Sequence, residues 1–187
     1  MRQDRIFFKQ EDSMKKIITV LSVLTVLVLL KINEDYIPNR IVRSQPTELE
    51  KFLDHMAERE SDNTPQAVNR YGMLGKYQFA PSTIKVLGYR VTRKQFLSNP
   101  ELQDSVMVAY LRSNNQELNS LISKYENKVI KGVKVTRSGV LAAAHLAGSG
   151  NVRLFFQNSD WNGRTDANGT SIREYMRTFS IYNLNKL

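Results

Sequence analysis

Glu60 occupies a position where a carboxyl group is better suited to giving a proton than to carrying a charge. Thr47, with Glu50 three residues on, has capping-box spacing and marks a helix start. From there Leu49, Phe52, Leu53, Met56 and Ala57 recur at the spacing of one buried helical stripe. Eleven residues past Leu49, at about 100° per residue, Glu60 comes round to within about 20° of that stripe, whereas Glu58 falls on the wet side. A carboxyl at the end of an apolar stripe loses solvent, which disfavours its charged form and suits it to general acid chemistry. The plainer alternative is a solvated Glu60 paired with Arg59 or Arg70.

The elements that would hold Glu60 follow from punctuation and period. Residues 61–75 are rich in Asn, Asp, Gly and Pro and read as a loop. Tyr77 to Leu87 reads as a helix stopped by Gly88. Thr92 with Gln95, and Asn99 followed by Pro100, are two further helix starts. The second helix carries Leu102, Val106, Ala109 and Tyr110 on one stripe and runs towards Glu126, with a break expected near Asn114 and Asn115. Residues 129–135 alternate around Gly132 and predict a short hairpin. A small-residue helix is expected from Gly139 to Ala147, another from Ser149 to Phe156, and a last one behind the Ser171/Glu174 pair, with Ile172, Tyr175, Met176 and Phe179 on its stripe. The expected fold is α+β, mainly α, with one small β-hairpin, built on residues 47–187.

Ahead of that domain, residues 1–32 read as a signal peptide or signal anchor and residues 33–46, with two prolines, as a linker. The apolar run 17–30 holds fourteen uncharged residues behind a basic segment, and Met14 is a second candidate start. Fourteen helical residues span about 21 Å, short of the roughly 30 Å hydrocarbon core, which favours a cleaved leader. The lack of a small-residue cleavage site after Leu30 favours an uncleaved anchor holding the chain to the membrane. Either way the chain is expected to be exported to the periplasm or cell envelope. The chain has no cysteine, which excludes disulfides, thiolate metal sites and cysteine nucleophiles.

The net charge is +9, from 27 basic and 18 acidic residues; residues 1–32 hold six and three of them, leaving 21 and 15 beyond. The excess is scattered, with no run of five basic residues, so nucleic acid is not an expected partner and an anionic wall polymer or membrane surface is. His55 and His145 are the only histidines. No metal motif accompanies them, and Asp166-Ala167-Asn168-Gly169 lacks the closing glutamate of a calcium loop and reads as a turn; neither metal nor cofactor is expected.

Three segments occur in order: Glu60-Ser61, then Gly72-Met73-Leu74-Gly75-Lys76-Tyr77-Gln78 leading to Pro81-Ser82-Thr83, then Ala143-Ala144-His145-Leu146-Ala147-Gly148. Together they resemble successive motifs of the lytic transglycosylases, peptidoglycan-cleaving enzymes of the lysozyme-like fold. Their motifs are Glu-Ser, Gly-x-x-Gly-Leu-Met-Gln with Pro-x-Thr, and Ala-Ala-Tyr-Asn-x-Gly. The resemblance runs from Leu49 to about Val152, just over half the chain. Lys76-Tyr77 replaces the family's Leu-Met, and His145-Leu146 replaces its Tyr-Asn, a tyrosine that lines the cleft near the acid.

The resemblance implies that Glu60 protonates the glycosidic oxygen between N-acetylmuramic acid and N-acetylglucosamine. As carboxylate it then takes the proton of the muramoyl 6-hydroxyl, which closes on the sugar carbon to leave a 1,6-anhydro end. Of the expected substrate contacts, Ser61, Gly75, Gln78 and His145 lie in the matching segments, Gln78 bonding a sugar or holding Glu60 in place. Tyr77 and Tyr110 are aromatics able to stack on sugar faces, with a core position the alternative for Tyr110. A hydrolase usually needs a second carboxylate about 5 to 9 Å away. Of the near candidates, Asp54 and Glu58 are turned away by helical phase, leaving Asp62. Besides the transglycosylase, two readings stand: a muramidase that uses water, and a peptidoglycan-binding module that has lost turnover, the latter motivated by His145 and Leu146.

Overall fold

A computed structural model of the chain describes residues 45–158 and 170–187. The expected leader, the linker as far as residue 44 and the 166–169 turn lie outside the described residues. Residues Gln45–Leu187 form one compact unit. In it, α1 (Glu48–Ser61) is followed by two short helices, α2 (Pro81–Val86) and α3 (Arg93–Leu97), and the long α4 (Pro100–Tyr125). A two-stranded antiparallel hairpin, β1 (Val129–Ile130) and β2 (Val133–Lys134), pairs Val129 with Lys134 and Ile130 with Val133. Then come α5 (Arg137–Ala147), α6 (Ser149–Gln157) and α7 (Ile172–Thr178). The fold is mainly helical with one small hairpin, as expected. No helix among the described residues is long and apolar enough to cross a membrane.

Helix starts obey their local chemistry. Thr47 and Thr92 each close a capping box, with Glu50 and Gln95 respectively, and Asn99 and Ser171 each accept a backbone N–H three residues on. Two expectations are corrected. The helix expected from Tyr77 begins only at Pro81, because a proline pushes the preceding residue out of helical conformation, and Ala80 is extended at ψ 136°. The break expected near Asn114 is absent: α4 runs unbroken for 26 residues. Asn114 lies buried on the stripe of Val106, Met107, Leu111, Leu118 and Ile122, and its amide donates to the Tyr110 carbonyl one turn back at 3.0 Å. An amide that finds its partner within its own helix costs the stripe little.

The core is organised around α5, whose residues Ser138 to Ala144 are all buried and which packs against α4, α6 and α7. Its small side chains allow close approach. A methyl group on Gly139 would stand 2.5 Å from the Met176 carbonyl oxygen of α7. Just past the end of α7, Phe179 meets Phe52 of α1 at 5.3 Å between ring centroids. Tyr175 and Glu174 of α7 in turn bond Glu60 and Arg59, at the end of α1.

Candidate active site

The apolar stripe of α1 carries Glu60 to the last turn of the helix, where its side chain is 18% exposed. The helix then stops: Asp62 and Asn63 take left-handed backbone at φ 51° and 52°. The Ser61 hydroxyl donates to the Lys76 carbonyl at 2.9 Å and accepts the Thr64 N–H at 3.1 Å, tying the end of α1 to the loop 72–80. That loop has a built interior. Gln103, on α4 and wholly buried, accepts the Lys76 N–H at 2.8 Å and donates to the carbonyls of Pro65 and Phe96 at 3.0 and 2.9 Å. Gly75 is at φ +74°, and a side chain there would collide with the side-chain amide oxygen Oε1 of Gln103.

These elements border a cleft of about 680 Å³, with Glu60, Gln78, Tyr110 and His145 on its wall together with Arg70, Tyr71 and Phe79. The structure therefore gathers four of the seven expected site residues. Ser61, Gly75 and Tyr77 are not on the wall. Ser61 and Gly75 act within the loop's own architecture. Tyr77, expected to stack on a sugar, is 1% exposed, and its hydroxyl donates to Asp104 of α4 at 2.5 Å. Asp104 also takes the Lys76 ammonium at 2.7 Å. The Lys76-Tyr77 departure is thus held by one carboxylate, and burial beside that charge pushes the Tyr77 hydroxyl far up in pKa.

Tyr175 of α7 is the site residue that sequence reasoning missed. Its hydroxyl donates to Glu60 Oε1 at 2.6 Å. Burial, then the Glu60 charge and this bond, raise the Tyr175 pKa well above its ordinary value, so the phenol keeps its proton and remains a donor. Arg59 holds the ring from outside, its guanidinium 4.8 Å from the ring centroid while paired with Glu174 at 2.5 Å. Gln78, at φ 52°, does not hold Glu60; its amide donates to the Gly75 carbonyl at 2.9 Å.

His145 Nε2 lies 3.0 Å from the Tyr77 carbonyl, which can only accept, so Nε2 carries the proton. The same nitrogen stands 3.9 Å from Glu60 Oε1, beyond a hydrogen bond. Burial lowers the His145 pKa, opposed by the Glu60 charge and the Tyr77 carbonyl. The ring is packed edge-on against Phe79 and Tyr110 at 5.3 and 5.7 Å, and Nδ1 is buried without a partner. In this neutral form His145 ties the loop 72–80 to α5 and walls the cleft beside the acid. Tyr110 spends its hydroxyl on the Ala144 carbonyl at 3.0 Å, and its ring remains on the cleft wall.

A family model described as the transglycosylase SLT domain matches residues 40–168. The chain belongs to this family. The SLT family has the lysozyme-like fold and acts on peptidoglycan glycan strands, which accords with an open cleft lined by Glu60, Asn69, Arg70 and Gln78. No curated protein and no solved structure matches the chain. Glu60 is the only carboxylate among the described residues of the SLT cleft wall. Asp54, Glu58 and Asp62 are exposed and not part of it. Among the described residues, no group of three or more His, Cys, Asp or Glu side chains is placed to hold a metal ion.

Proposed function

We propose that the protein is a peptidoglycan lytic transglycosylase with Glu60 as its single general acid and base. The observation that carries the reading is Glu60, the one carboxylate among the described residues of the cleft wall, clamped by the Tyr175 hydroxyl at 2.6 Å. Protonated Glu60 gives its proton to the oxygen of the N-acetylmuramic acid to N-acetylglucosamine bond as positive charge develops on the muramoyl carbon. The carboxylate so formed takes the proton of the muramoyl 6-hydroxyl, whose oxygen closes on that carbon and leaves an anhydro end. One group serves both steps because it exchanges form between them. Tyr175 fixes Oε1 without competing for the transferred proton, since a phenol held this far above its usual pKa stays protonated. Tyr110, Gln78 and His145 are the substrate-facing side chains of the cleft in this reading.

The reading also has the chain exported, with residues 17–30 as leader or inner-membrane anchor, because its substrate lies outside the cytoplasm. Fractionation of cells producing the full chain tests this: recovery in the cytoplasm alone would refute it. Mass spectrometry of the fragments released from purified peptidoglycan tests the chemistry. Anhydro-muropeptides are the expected products. Reducing-end products would make the protein a muramidase, and tight binding without fragments would make it a wall-binding module.

A further inference from the structure

Between Asp62 and Glu101 the chain carries six basic residues, Arg70, Lys76, Lys85, Arg90, Arg93 and Lys94, and no acidic one. The fold puts three of them on a second groove of about 390 Å³, where Lys85, Arg90 and Arg93 stand around Tyr89 and Phe96, with no carboxylate among the described residues of its wall. Among the described residues none of the three cations has an ion-pair partner. Lys76 is neutralised by Asp104 and Arg70 lies in the cleft, over the Tyr71 ring at 4.8 Å.

The groove and the cleft share a wall. Tyr71 and Met73 face the cleft while Gly72 and Leu74 face the groove; at the start of α2, Ala80 and Thr83 face the cleft while Pro81 and Ile84 face the groove. A polymer seated in the cleft is therefore separated by this one wall from three cations that have no ion-pair partner among the described residues. Glycan strands of peptidoglycan carry short peptides with free carboxylates, and a four-residue peptide reaches about 13 Å when extended.

We propose that this groove binds the carboxylates of the peptide stems, so that the protein selects peptide-bearing over bare glycan. The proposal rests on the reading of the cleft as a peptidoglycan site. Three exposed cations facing carboxylates amount together to about a tenfold gain in affinity at low salt. The test is the affinity of the full chain carrying Glu60→Gln for soluble glycan strands, with their peptides or stripped of them by an amidase, read by fluorescence anisotropy. About tenfold tighter binding to peptide-bearing strands is expected at about 50 mM salt, falling towards equality at about 500 mM. Adding Lys85→Gln, Arg90→Gln and Arg93→Gln, with the fold checked by circular dichroism, should abolish the preference and leave binding to bare strands unchanged. A preference that survives the triple substitution, equal weakening on both strands, or binding to neither strand overturns the proposal. The fragment analysis of the wild type separates its failure from that of the cleft reading: anhydro products with no peptide preference would sink the groove alone.

Discussion

The bond from Tyr175 to Glu60 joins residues 115 apart in the chain and sets the geometry of the site. A hydrogen bond to a charged partner contributes about 1.5–3 kcal/mol. Tyr175→Phe should therefore keep the fold and lower kcat about tenfold with little change in KM, measured on peptidoglycan fragments. The helical phase of Glu60 was readable in the sequence, but its clamp was not: Tyr175 sits on a stripe with Ile172, Met176 and Phe179 and reads as core. Its being the one stripe residue with a polar tip was the available signal. His145 makes a pH prediction. Its folded pKa is depressed by burial, so below the unfolded value of about 6.5 the unfolded chain takes up a proton that the fold resists. Its contribution is present above that pH and is lost as pH falls through the folded pKa. His145→Asn should flatten the acid side of a plot of Tm against pH. His55, also depressed by burial, supplies a slope that survives the substitution.

At the level of elements, the loop 72–80 is held by side chains that local pattern does not reveal. Gln103 reads as one polar position on a long helix, yet it satisfies three backbone groups from three segments. Gln103→Leu leaves the Lys76 N–H and two carbonyls without their partner, at about 1–3 kcal/mol for each buried group. Urea denaturation should show the loss of stability, and kcat/KM should fall with it because the loop carries Gln78. Gly139→Ala drives a methyl group into the Met176 carbonyl at the crossing of α5 and α7. Overpacking of this kind costs about 1–3 kcal/mol, readable as a lower Tm. Capping boxes, the hairpin and the small-residue helix were legible because each is specified within a few residues. Tyr77 faces inward because its hydroxyl is taken by Asp104 and the neighbouring Lys76 N–H by Gln103, both from α4 and 27 residues away, where local pattern does not reach.

For the whole molecule, the chain's charge informs only once it is folded. The excess of positive charge looks scattered in sequence, and its informative aspect is the absence of acids from residues 63–100, the stretch that walls both the cleft and the cationic groove. The cleft in turn has a single described carboxylate, and the account stands on it. General acid catalysis contributes about 10²–10⁴-fold to rate. The measurement that tests the account most directly is the rate of fragment release from purified sacculi by the full chain, wild type against Glu60→Gln, each with its fold confirmed by circular dichroism. A loss of at least about a hundredfold in Glu60→Gln, with an unchanged fold, is expected. Release at the wild-type rate from the Glu60→Gln protein would contradict it.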